Sequence, residues 1–318
     1  MVTIGVKTPQ ENLRFSELRD MWIAAEQIPR VEHLWLYDHF VAQGGSEHGA
    51  VPCLDAWASL AALAAATRRA TLGILVSSVT YRSTAVLAAM SATVNEIAGG
   101  RLDLGLGVGW SVPEHEAWGI DFPAAGDRLV MLDETCAALR LLFAGGPVTF
   151  EGRHVRLDGA QVRGDVAPAP RLVLGGAGPR MLGVIARHAD VWNVAGAHLP
   201  RLRATREDLL ARCEALGRSA AEITVSAQVH AAVDAPDVTA AWCGRAVRSG
   251  AEHLVLELDR AATGREMERL VEAVCRVLDD TAPAAVHAPG RPVGDHLRRG
   301  AVRARPALGP SEGEHGDG

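Results

Sequence analysis

Short apolar runs alternate along the chain with longer amphipathic stretches. The apolar runs fall at Thr3–Lys7, 33–37, 70–76, 102–108, 171–174, 190–194, 223–230 and His253–Leu258. Several, such as TLGILV and LVLEL, are apolar almost throughout, the pattern of parallel strands covered on both faces. Between them apolar residues recur every three or four positions. Leu87, Met90, Val94 and Ile97 form one such stripe, and Leu129, Leu132, Cys136, Leu139 and Phe143 form a second. Met267, Leu270, Val271, Val274 and Leu278 form a third. Each is read as the core-facing side of a helix.

The alternation amounts to eight strand-then-helix units, which predicts an α/β fold with a parallel sheet. Eight units in 318 residues favour a closed (β/α)8 TIM barrel over an open, doubly wound sheet. Two segments break the rhythm. Residues 145–170 read as a small β excursion between helix 4 and strand 5, closed by a Pro-rich turn. From about Thr281 the chain is rich in Pro, Gly, Arg and His without periodicity. Residues 1–280 are therefore expected to form the barrel, and 281–318 a disordered C-terminal tail.

Composition narrows the classes. A net charge of −6 speaks against nucleic-acid binding, and no run is long and apolar enough to span a bilayer. The opening MVTIGVKTPQENLRF lacks the basic-then-apolar pattern of a secretory leader. The five cysteines are odd in number, widely spaced and without a CxxC. They read as reduced packing residues of a cytoplasmic protein, and no metal site is expected.

A barrel of this kind carries its chemistry where the strands end and the following loops meet. Asp38-His39 follows the second strand, Ser77-Ser78 the third, and Gly105-Leu-Gly107-Val-Gly109-Trp110 the fourth. Gly175-Gly176-Ala177-Gly178-Pro179 follows the fifth and Asn193 the sixth, while His230 and Glu257 lie at the ends of the last two. The fifth-strand glycines lead into a helix opened by Pro179. That arrangement suits a phosphate held by free N–H groups at the helix start, or a tight turn with no ligand. The alternating glycines around Gly107 suggest a flat ligand against the backbone, and lack the spacing of a dinucleotide fingerprint. Trp110 then stands at the rim as the wall of a ring, or is a buried structural residue. His39 can work as acid or base near neutral pH, or the Asp-His pair can cap a helix. His115 and His188 lack ligand-spacing partners and are read as surface or core residues. Asp127-Arg128 reads as an ion pair opening the fourth helix. There is no HExxH, Walker loop or GxSxG elbow.

The ordered set WLYDHF, LGILVSSVTYRSTAVLAAMSATVNEIAGGRLDLGLGVGW, GIDFPAAGDRLVMLDE and PRLVLGGAGPRMLGVIARHADVWN resembles the luciferase-like monooxygenase superfamily over about residues 3–280. The branch it is most similar to uses coenzyme F420, a deazaflavin. The resemblance implies barrel closure, hydride transfer between the cofactor C5 and a small organic substrate, and the following site. Asp38 and His39 flank the ring, and His39 lies near the reacting face as proton partner. Leu75-Val76 is a non-proline cis peptide forming a bulge behind the ring. Ser78 hydrogen-bonds the cofactor, Gly107, Val108 and Gly109 contact the ring, and Gly175, Gly176, Ala177 and Gly178 hold its phosphate. Sugar-phosphate dehydrogenases of the branch carry a catalytic glutamate where this chain has Trp110, which argues against their acid/base chemistry and makes Trp110 a substrate wall. A homodimer and a reductase supplying reduced F420 or flavin are implied. The alternatives are an FMN-dependent two-component monooxygenase and a barrel that binds such a ligand without turnover.

Overall fold

A computed structural model describes residues 1–41, 51–163 and 168–281. The expected tail, apart from Thr281, and most of the loop after the second strand lie outside the described residues. Eight parallel strands close into a barrel: β1 (Thr3–Lys7), β2 (Val31–Leu36), β3 (Thr71–Ser78), β4 (Leu102–Gly107), β7 (Arg171–Gly175), β8 (Val191–Val194), β9 (Thr224–Ala231) and β10 (His253–Leu258). Closure is made by β1, which pairs with both β2 and β10. The excursion is an antiparallel hairpin of β5 (Val148–Glu151) and β6 (Arg156–Ala160), set between the fifth helix and β7.

The helices are α1 (Phe15–Glu26), α2 (Ala56–Ala66), α3 (Thr84–Ile97), α4 (Val112–Ala117), α5 (Ala125–Phe143), α6 (Pro179–His188), α7 (Leu202–Ala215), α8 (Pro236–Arg248) and α9 (Gly264–Thr281). Side chains alternate across each strand, so the barrel has two apolar layers. Leu34 and Leu36 join the large core between strands and helices. Trp35, between them, packs with Leu75, Val173, Val191 and Val255 in a separate cluster that fills the barrel interior. All five residues of the α9 stripe are buried. The α3 stripe buries Leu87 and Val94 and ends with Ile97 exposed. Cys136, Cys213 and Cys243 are buried, Cys53 and Cys275 half-buried, and none is in a disulfide.

One interior detail shapes the barrel mouth. The Leu75–Val76 peptide bond is cis, and the β3–β4 register shifts between Ile74 and Ser77. The facing strand admits this bulge because it carries glycines. A Cβ at Gly105 would lie 2.0 Å from the Ile74 carbonyl oxygen, and one at Gly107 2.7 Å from Val76 Cγ2. The glycines at 105 and 107 thus make room for the neighbouring strand.

At the opposite end of the fold, the carboxylate of Glu26 closes α1 against the α2–β3 connection. It accepts the backbone N–H groups of Arg68 (2.9 Å), Arg69 (2.6 Å) and Ala70 (2.9 Å). Burial alone would raise its pKa, but these donors outweigh burial and hold it below the ordinary value. Glu26→Leu strands three amides, and urea denaturation is expected to show a loss of about 1–3 kcal/mol. A depressed native pKa means the stabilisation is full above the unfolded value of 4.5 and is lost as pH falls through the lower native value. The gap between wild type and variant is therefore expected to narrow in acid.

Candidate active site

The C-terminal strand ends open onto a cavity of about 740 Å3. β3, β4 and their loops contribute Leu75, Val76, Ser78, Gly107, Val108 and Gly109, and β7 contributes Gly175 and Gly176. Asp38 and His39 enter from β2 and Trp110 from the loop after β4. Ala177 and Gly178 do not line the cavity; they lead into α6, which continues from its wall. On the far side stand Lys7, Gln228, His230 and Glu257, from β1, β9 and β10. The mouth therefore has a glycine-lined half on β3, β4 and β7 and a polar half on β1, β9 and β10.

The glycine-lined half has two features suited to a ligand. Gly109 has φ +74°, and a Cβ there would lie 2.4 Å from Ser78 Oγ, so only glycine fits this wall. Gly178 is the N-cap of α6 and no side chain caps the helix. The first bond of the helix runs from Leu182 N–H to the Gly178 carbonyl. The N–H groups of Arg180 and Met181 precede that bond, so they have no partner within the helix.

Behind this wall runs a directional hydrogen-bond chain. His115, fully buried, can only donate from Nδ1 to the Ser111 carbonyl at 2.6 Å. With a single ring proton, held at Nδ1, Nε2 accepts from the Thr80 hydroxyl at 2.7 Å. The Thr80 oxygen in turn takes the Ser78 hydroxyl at 2.6 Å. In that arrangement Ser78 turns lone pairs toward the cavity, and would accept from an N–H or O–H of a ligand.

His39 borders the cavity with its ring centroid 5.7 Å from that of Trp110, in edge-on geometry. Trp110 is 66% exposed, so it is the rim residue and not a buried one. His39 Nδ1 lies 2.7 Å from Glu114 Oε2. Glu114 also accepts from Phe40 N–H at 2.5 Å and Tyr81 O–H at 2.7 Å. Burial would raise the Glu114 pKa, but the bonds from His39, Tyr81 and Phe40 hold it below the ordinary value. Burial, with Glu114 adding to it, pushes the Tyr81 phenol well up, so Tyr81 remains a donor. Asp38 is tied to Arg82 at 2.5 Å; burial nonetheless leaves its carboxyl above the usual range.

In the polar half, Lys7 pairs with Glu257 at 2.7 Å, and Gln228 donates to the same carboxylate at 2.9 Å. Burial would raise Glu257, but Lys7 and Gln228 hold it low. Asn193 lines the cavity and accepts from Ser226 at 3.0 Å. Asp190 is turned away, toward Arg140 and the Leu172 N–H.

Sequence reasoning placed Asp38, His39, Trp110 and the strand-end glycines at this mouth, but not Lys7 or Glu114. Lys7 was within reach, since it ends the first strand as His39 follows the second. Glu114 sits on a helix of six residues, too short to show a periodic stripe. The expected Asp127–Arg128 pair does not form. Adjacent helical residues point apart, and Asp127 meets Arg153 at 2.9 Å. Arg128 instead donates to the Val108 carbonyl at 3.0 Å and lies over the Phe122 ring, which fixes the loop beneath Gly109.

A family model described as luciferase-like monooxygenase matches residues 2–288. An F420-dependent glucose-6-phosphate dehydrogenase of Nakamurella multipartita is 30% identical over 63% of this chain, which spans only 58% of that relative's length. A protein of the same description from Kineococcus radiotolerans is 28% identical over 96% of this chain and 97% of its own length. Among solved structures, an F420-dependent secondary alcohol dehydrogenase in complex with an F420-acetone adduct superposes with a TM-score of 0.74 at 18% identity. That match covers 86% of this chain and 99% of the other. At that identity it bears on the fold alone. Among the described residues, no helix is long and apolar enough to cross a membrane, and no cluster of side chains fits a metal ion.

Proposed function

The chain belongs to the luciferase-like monooxygenase family, and from that premise we propose that it is an oxidoreductase that binds coenzyme F420. In this reading it passes a hydride between the cofactor and a small organic substrate. The observation that carries it is the convergence of His39, Gly109 and Gly176 on one cavity. Relatives named as F420-dependent enzymes support the choice of cofactor.

The residues present fit a flat, phosphorylated cofactor. The Gly109 wall admits no side chain, Ser78 offers an acceptor, and the uncapped start of α6 offers N–H groups to a phosphate. F420, when bound, supplies hydride donation or acceptance at C5. The chain's own residues do the rest. Val76 and Gly107–Gly109 back the ring. His39 exchanges a proton with the substrate, and Trp110 walls the space above. Lys7 is the one Lys or Arg lining the cavity among the described residues, and Glu257 already neutralises it. The substrate half is thus better suited to an uncharged molecule than to a sugar phosphate. A cytoplasmic homodimer served by an F420 reductase completes the reading.

Equilibrium titration of the purified protein with F420 and with FMN tests it. Saturable binding of F420 at least tenfold tighter than FMN, about 1.4 kcal/mol, is expected. Preference for FMN would instead assign the protein to oxygen-dependent flavin chemistry.

A further inference from the structure

Glu114 is the least expected residue at the mouth. Its side chain has no exposed surface, yet it carries a charge with no Lys or Arg in contact among the described residues. Its two oxygens divide their work. Oε1 takes the N–H groups of Phe40 (2.5 Å) and Val41 (3.3 Å). Oε2 takes His39 Nδ1 (2.7 Å) and the Tyr81 hydroxyl (2.7 Å). An ionised carboxylate only accepts, so Nδ1 must be the protonated nitrogen of His39. No partner for His39 Nε2 is found among the described residues, and the ring borders the cavity.

We propose that Glu114 is the positioning residue of this site, fixing His39 in the Nδ1–H tautomer so that Nε2 meets the substrate as a proton acceptor. This rests on the reading of His39 as the proton partner. In the oxidative direction the substrate O–H bond breaks and its proton passes to Nε2. The C–H bond breaks with its electron pair, which leaves as hydride to oxidised F420. The carbon–oxygen double bond forms, and His39 becomes an imidazolium facing the Glu114 carboxylate. The reverse direction returns both to a carbonyl. Glu114 touches neither substrate nor cofactor; it sets which nitrogen is free and balances the positive charge that the step creates.

The two oxygens make the inference testable by one substitution. In Glu114→Gln the amide oxygen keeps its place by serving the two backbone N–H groups, which turns the NH2 toward His39. Nδ1 must then accept, and the ring proton moves to Nε2. The other titratable or charged groups around the pair are Tyr37, Asp38, Cys53, Tyr81, Arg82 and His115, and the substitution leaves all of them in place.

Nitrogen-15 NMR of histidine-labelled protein, assigned through His39→Gln, reads the tautomer directly. The wild-type protein is expected to show a bonded proton on Nδ1 and a bare Nε2, and Glu114→Gln the reverse, with thermal midpoint and F420 affinity close to wild type. A wild-type His39 protonated at Nε2, or a Gln variant with an unchanged pattern, would overturn the proposal. Should the Gln variant not fold, the wild-type spectrum alone decides. The tautomer is read on the protein without cofactor, so a failure to bind F420 would count against the functional reading and leave this result standing.

Discussion

His39→Ala is expected to lower kcat by about 10²–10⁴-fold, the range for loss of a general acid or base, with F420 affinity changed by less than about threefold. The separation follows from where His39 sits. It enters the mouth from β2, beside Trp110 and away from the uncapped start of α6. Its ring makes one strong bond, to a carboxylate on the side away from the cavity. Truncation therefore removes the proton partner without touching the phosphate site or the glycine wall. Steady-state kinetics on any accepted substrate, with F420 titrated separately, measure the two effects. An unchanged kcat would strip His39 of its role and favour a barrel that binds without turnover.

Gly178→Asp is expected to weaken F420 binding by at least tenfold while leaving the protein as stable as before or slightly more so. Gly178 has φ −72° and ψ 151°, which any residue adopts, and nothing lies within 4 Å of the position a Cβ would take. Aspartate is a better N-cap than glycine by a few tenths of a kcal/mol and adds a favourable charge at the positive end of the helix. The same carboxylate takes the N–H groups meant for the cofactor phosphate and repels it. Stability and affinity thus move in opposite directions, which a general folding defect cannot imitate. Thermal denaturation and F420 titration of the variant give the two numbers. Unaltered F420 affinity would place the phosphate elsewhere.

Much of this was legible in the sequence because parallel barrels write their strands as apolar runs and their chemistry just after them. LVLGGAGP shows strand, loop and helix start in eight letters. The expected cis bond at Leu75–Val76 is present, although only family likeness, and no local propensity, pointed to it. What the sequence hid depends on partners distant along the chain. Glu114 meets His39 across 75 positions, and neither local pattern hints at the other. The glycines of β4 announced the close approach of a flat ligand, and gave no sign that Ile74 and Val76 of β3 also crowd Gly105 and Gly107. Arg128 looked like half of an ion pair because its neighbour is acidic, yet helical geometry sends it to the Val108 carbonyl.

The central claim is that one half of the barrel mouth holds the cofactor and the other the substrate. A crystal of the protein soaked with F420 tests it most directly. The account predicts ring density between Val76, Gly109 and His39, phosphate density at the amides of Arg180 and Met181, and open space in front of Lys7, Gln228 and Glu257. A ring lying against β1, β9 and β10, or a phosphate away from α6, would contradict it.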